Sequence, residues 1–170
     1  MSTMYVNKVQ ELDVGSGVHI PGHVIQIVTA EHGTYVTTTG SSFTDTGLQC
    51  SITPKSATSH ILIICNIQAG KSGANGFEPA CRILRVNGSA MIGAEGQRYV
   101  YGRIEDGSSN IHASGMTTLT RKDTSHNSTS SQTYKFQHRI ISGGGTLRHN
   151  DYSTGTPPEQ STMVLMEIAQ

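Results

Sequence analysis

Tryptophan is absent from this 170-residue chain, and its three Phe and six Tyr make aromatic residues only 5% of the total. Carbohydrate sites commonly stack sugars on aromatic faces, so this shortage counts against such a platform. Charge is also scarce: 14% of residues are Asp, Glu, Lys or Arg, and the formal net charge is zero. A strongly basic face for nucleic acid is not expected from that balance. A near-neutral surface favours association instead. Three cysteines, Cys50, Cys65 and Cys81, are an odd number and cannot form a complete disulfide framework. Their spacing fits neither a zinc knuckle nor a CxxC redox pair, and all three are read as reduced, small apolar residues. No apolar run approaches the roughly 20 residues that a membrane-spanning helix needs. The longest covers residues 61–65. The opening Met1-Ser2-Thr3-Met4-Tyr5-Val6 lacks the apolar centre of a signal peptide, so neither membrane insertion nor Sec-type export is expected.

What remains is rich in Ser, Thr, Gly and Asn, which suit turns and solvent-facing strand positions better than helix interiors. Short apolar or alternating runs recur between these residues without sustained helical periodicity. The pattern predicts an all-β, antiparallel β-sandwich. Residues 47–53 alternate, with Leu48, Cys50 and Ile52 on one face, and Pro54 ends the strand. Residues 60–67 are apolar on both faces, as in a central, covered strand. Asn87-Gly88 lies between two apolar runs, 81–86 and 89–92, and predicts a hairpin. Weaker strand signals cover 98–103 and 116–121. In residues 133–141, Tyr134, Phe136, His138 and Ile140 share a face, and 146–149 return as a short strand. The last strand, 161–169, is again apolar on both sides. Val164, Met166 and Ile168 share one face there and are the predicted subunit interface.

Residues 1–28 differ from the rest. Their β-prone pieces, 4–10, 18–20 and 23–28, are too short to bury Val6, Val9, Leu12, Ile20, Ile25 and Ile27 unaided. The expectation is an extended N-terminal arm (1–28) that docks on a partner or intertwines with sister subunits, ahead of a sandwich domain (29–170). The alternative is that these pieces add strands to the domain's own sheets. Tyr5, Val6, Val9, Ile20, Val24 and Ile25 are the predicted arm contacts.

Several chemical motifs fall short. Gly70-Lys71-Ser72 follows a strong strand, but the first glycine of a phosphate loop is replaced by Cys65. The residues after it, Gly73-Ala74-Asn75-Gly76, cannot open a useful helix, so a surface loop is expected there. Eight histidines are scattered; His19 and His23 are separated by Pro21-Gly22, and His138 is expected to be a hydrogen-bonded core or interface residue. Asp45, Glu105, Asp106, Asp123 and Asp151 all occupy loop-like contexts, and no GxSxG turn is present. No catalytic residue, cofactor or metal is therefore assigned, and no enzyme activity is expected.

Five stretches taken together carry a resemblance: Ser2-Thr3-Met4-Tyr5-Val6-Asn7-Lys8-Val9-Gln10; Val18-His19-Ile20-Pro21-Gly22-His23-Val24-Ile25-Gln26; the strand–turn–strand over 51–63; Thr133-Tyr134-Lys135-Phe136-Gln137; and the ending Met166-Glu167-Ile168-Ala169. In this order they resemble small virion structural proteins of marine tailed bacteriophages, of the head-decoration and tail-fibre-like kind. The resemblance implies a jelly-roll-like sandwich, a homotrimer, and a place on the exterior of a virion made in the bacterial cytoplasm. Absent coiled-coil heptads and a repetitive shaft, it points to a capsid decoration (cement) protein. Its partners would be sister subunits and the major capsid protein or other virion proteins. The alternative is a short tail-fibre or receptor-binding tip, whose loops 72–77, 106–114 and 121–132 would meet a host-surface glycan. A carbohydrate-active enzyme or lectin is the third alternative.

Overall fold

The computed structural model describes residues 20–73, 78–98, 111–150 and 160–170. Tyr5, Val6 and Val9, most of the 72–77 and 106–114 loops, and residues 99–103 lie outside the described residues. The described chain is built of strands: β1 (Val24–His32), β2 (Val36–Thr38), β3 (Thr44–Ile52), β4 (His60–Gly73), β5 (Glu78–Arg85), β6 (Ala90–Arg98), β7 (Ile111–Asp123), β8 (Gln132–Ser142), β9 (Thr146–His149) and β10 (Ser161–Ile168).

They form two antiparallel sheets packed as a sandwich. Sheet A runs β1-β10-β4-β9-β2, with β7 also paired to β4; sheet B runs β3-β8-β5-β6. Within sheet A, β10 pairs with Asn66–His60 of β4 and β9 with Ala69–Ser72. These two strands therefore lie end to end along one edge of β4, while β7 follows its other edge from Ile61 to Gly73. β1 and β2 extend the sheet outward beside β10 and β9.

Alternation decides what enters the core. Leu48, Cys50 and Ile52 of β3, Ile83 of β5, and Tyr134 and Phe136 of β8 meet Ile61, Ile63, Cys65 and Ile67 of β4 and Met163 and Leu165 of β10. All twelve are buried. The three cysteines are free and buried. Burial and the neighbouring thiols Cys81 and Cys50 raise the pKa of Cys65 to about 12, so it stays an unreactive thiol. The β5–β6 hairpin turns through a single 3-10 turn, Asn87–Ser89, in which Gly88 takes φ +77°. This is the conformation for which glycine has no Cβ penalty. The Asn87 side chain ties the turn to the sheet by accepting the Thr133 amide at 3.1 Å.

Four sequence expectations change. Val24 and Ile25, assigned to the arm, open β1, which pairs with β10 through Val24 and residues 26–32 with a bulge at Ile25; for residues 24–28 the alternative of an added strand holds. Their apolar side chains found a partner in the domain's own last strand. Gly70-Lys71-Ser72 is not a loop but the end of β4, where β7 and β9 both pair with it. Neither Asp45 nor Asp123 is in a loop: Asp45 lies in β3, and Asp123 ends β7 and is 1% exposed. His138 is fully buried, as expected, but neither ring nitrogen has a hydrogen-bond partner.

Candidate interaction face

The outer surfaces of the two sheets differ in kind. On sheet B the outward side chains satisfy one another. Ser51 and Thr133 hydroxyls lie 2.8 Å apart, Lys135 meets Asp45 at 2.8 Å, and Arg82 donates to Gln137 at 2.7 Å. Phe43 is flanked by the guanidinium groups of Arg82 and Arg139, 4.2 and 4.5 Å from its ring centroid. This is the polar surface a solvated sheet carries.

Sheet A presents a different outer surface. Register places Ile27, Met166, Leu62 and Lys122 in one cross-strand row, and Thr29, Val164, Ile64 and Thr120 in the next. Ile168 lies beyond, paired with Val24 and His60. These residues alternate with the fully buried Ile61, Ile63, Met163 and Leu165, so they point away from the core. Ile27 is 56% exposed and Val24 44%. Leu62, Ile64, Val164, Met166 and Ile168 are half-buried.

The apolar centre spans three strands and about three rows, roughly 10 by 14 Å from strand and residue spacing. One side of it is closed by uncharged polar groups. Asn66 accepts from Thr118 at 2.8 Å and its amide nitrogen lies 3.4 Å from the Thr162 hydroxyl. An apolar centre inside a polar rim is the composition of a protein–protein contact. The backbone under this surface is rigid: β4 and β10 are both interior strands of the sheet.

The predicted interface residues Val164, Met166 and Ile168 are therefore together on this surface. Of the predicted arm contacts, Val24 borders it, Ile25 is half-buried in β1, and Ile20 is exposed just before the Pro21-Gly22 turn. Sequence reasoning missed Leu62, Ile64 and Ile27 as members. A run apolar on both faces implies a strand covered on both sides. Only the inner side of β4 meets a second layer among the described residues.

Two buried carboxylates brace one end of this sheet, Glu167 and Asp123, both in register with Ile61 of β4. Glu167, on the inner face of β10, is fully buried and accepts the Lys55 amide (2.9 and 3.0 Å), the Ser56 amide (3.1 Å), the Ser59 hydroxyl (2.6 Å) and the Gln26 side-chain amide (2.6 Å). It thereby pins the whole β3–β4 turn to β10. Burial pushes its pKa up, but those hydrogen bonds outweigh burial and hold it below the ordinary value. Asp123 accepts from Arg85 at 2.6 Å, Tyr134 at 2.8 Å and the Ser125 amide at 2.9 Å. Burial raises its pKa too, and the Ser125, Tyr134 and Arg85 contacts more than reverse the effect. Both carboxylates have their donors in place for structural work.

The chain matches no protein-family model, and no curated protein is significantly similar to it.

Proposed function

We propose that this protein is a structural component of a tailed-phage virion, a capsid decoration protein that self-associates through the outer face of sheet A. The observation that carries the reading is the uncovered apolar surface that Ile27, Leu62, Ile64, Val164 and Met166 form together on sheet A. Sister subunits, as a homotrimer, are its partners there. The N-terminal segment, now limited to residues before β1, is the attachment to the capsid. The strand order supports a jelly-roll wrapping: β3, β4 and β5 alternate between the sheets, β6 pairs with β5, and β7, β8 and β9 alternate again. The resemblance of the five stretches named above supports the virion assignment. Multivalent attachment would turn weak single contacts into durable ones.

Native mass spectrometry at micromolar concentration tests the assembly. Wild type is expected as a trimer. Met166→Lys and Ile27→Lys are expected as folded monomers, because a charge buried in the contact has no counter-ion. A monomeric wild type overturns the reading. Binding of the full chain and of a variant lacking residues 1–19 to decoration-free heads, and separately to host cells, tests attachment. Segment-dependent binding to heads supports the decoration role. Cell binding that survives the deletion replaces it with the receptor-binding tip.

A further inference from the structure

Three histidines from different strands meet between the sheets at the end of the sandwich where β2 and β9 lie. His149 closes β9, His32 closes β1, and His138 comes from β8 in the opposite sheet. The His149 ring centroid is 6.0 Å from that of His32, in a stacked arrangement, and 6.2 Å from that of His138, nearly edge-on. Phe136 stacks on the same ring at 6.1 Å. His138 and His149 are fully buried. Both nitrogens of each, and Nε2 of His32, have no hydrogen-bond partner. The packing is close: a Cβ on Gly47 would meet the His32 ring.

Five unpaired ring nitrogens in a core are an expensive arrangement, since buried polar groups are normally satisfied. A metal does not account for them. Among the described residues no group of three or more His, Cys, Asp and Glu is arranged to hold an ion. Nor does a counter-charge. The neighbours facing the cluster are the buried Thr46 of β3, Cys81 of β5, Gln68 and Ala69 of β4, and Ser161 of β10. Charged groups on the flanking strands are bonded elsewhere or exposed. Asp45 bonds Lys135 and Gln137, Arg82 bonds Gln137 on the outer side of sheet B, and Glu31 of β1 is exposed. Arg139 and Arg148 flank His138 and His149 in sequence and alternate to the other face, and a second cation beside them would only add repulsion. No described carboxylate faces a ring that gained a proton.

We propose that this cluster is an acid-released latch: His138 and His149, buried as neutral rings beside His32, hold β9 and its neighbour β2 against sheet B, and protonation of those two drives that corner of the sandwich open. β2 has three residues and β9 four, so each has little ladder pairing to hold it once the rings repel. Burial, with His138 and His32 as like neighbours, agrees in direction: it lowers the pKa of His149 to about 3, and burial alone lowers that of His138 to about 4. Both lie below the ordinary 6.5, so their stabilising effect is complete above pH 6.5. It is lost as pH falls toward the folded values. The inference is independent of the virion reading and does not involve the outer face of sheet A.

The test is urea unfolding of the full chain between pH 7.5 and 5.0, a window in which carboxylates contribute little. The wild-type unfolding constant is expected to rise about 1000-fold, roughly 30-fold for each of the two buried rings. The His138→Leu/His149→Leu double variant is expected to rise less than about 10-fold over the same window. An equal rise in both proteins overturns the proposal. Ring-resonance NMR on wild type decides the matter without the variant. Rings 138 and 149 should stay neutral in the folded protein at pH 5, and titration of either near 6.5 refutes the latch. Amide exchange corrected for intrinsic rates should rise first in β2 and β9 at pH 5. Exchange there that stays in step with β4 and β7 refutes local release.

Discussion

Replacing Glu167 tests how much of this fold is held by one buried carboxylate. Its two oxygens accept from two backbone amides, one hydroxyl and one side-chain amide, all from segments distant in sequence. Hydrogen bonds to a charged group contribute about 1.5–3 kcal/mol each, and they do not add fully. Glu167→Ala removes the acceptor and leaves the Lys55 and Ser56 amides, Ser59 and Gln26 facing an apolar gap. A loss of roughly 4 kcal/mol is expected, out of about 5–15 for a whole domain. Glu167→Gln keeps the shape but turns an NH2 toward donors, so about 2–3 kcal/mol is expected. With a urea m-value of about 2 kcal/mol/M, the alanine midpoint falls by about 2 M. The pH dependence has a definite sign. The folded carboxyl titrates below its ordinary 4.5. Its contribution is therefore fully present above about pH 5–6 and disappears as pH falls through the folded value. The wild-type advantage over Gln should accordingly shrink toward pH 3. Urea titrations at pH 7 and pH 3, with exchange rates at the Lys55 and Ser56 amides, measure this. A loss under about 1 kcal/mol for Ala, or unchanged exchange at those two amides, would refute the clamp.

Two further outcomes follow from the interior. Asp123→Asn leaves Arg85, 8% exposed, without its counter-charge, and should cost about 3–5 kcal/mol by thermal or urea unfolding; Arg85→Met with Asp123→Asn should recover part of that. The thiols should not react with Ellman's reagent in native protein at pH 8, Cys65 least of all with its pKa at about 12. All three should react at once in urea, and native-state labelling of Cys65 would mean that the sheets open far more often than their packing implies.

Much of the fold was legible because strand alternation is a local property. Leu48, Cys50 and Ile52 face inward as their spacing requires, and Tyr134, Phe136, His138 and Ile140 share the buried face of β8. Asn87-Gly88 sits in the hairpin turn because its backbone preference needs no distant partner. The misread strand boundaries all involve pairing. β4 carries strand structure through Gly70-Lys71-Ser72 because β7 and β9 both pair with it there, an effect invisible in a window of weak β-formers. β7 likewise runs from Ile111, well before the alternation in its sequence begins.

The candidate surface divides in the same way. That Val164, Met166 and Ile168 share a face is set by the two-residue period of a strand, and the sequence alone determines it. That Leu62, Ile64 and Ile27 join them depends on register, which long-range hydrogen bonds between β1, β10 and β4 decide. The same holds for the interior polar groups. Glu167 could be placed on a strand, but not against the turn 53–59 whose amides it accepts. Three histidines 106 and 11 residues apart carry no mutual signal in the chain. Only the stacking of two sheets brings the rings of His32 and His138 each to about 6 Å from that of His149. Sequence determined which faces exist, because side-chain direction follows from local backbone geometry; tertiary structure decided which faces meet, because that depends on contacts with no fixed separation along the chain.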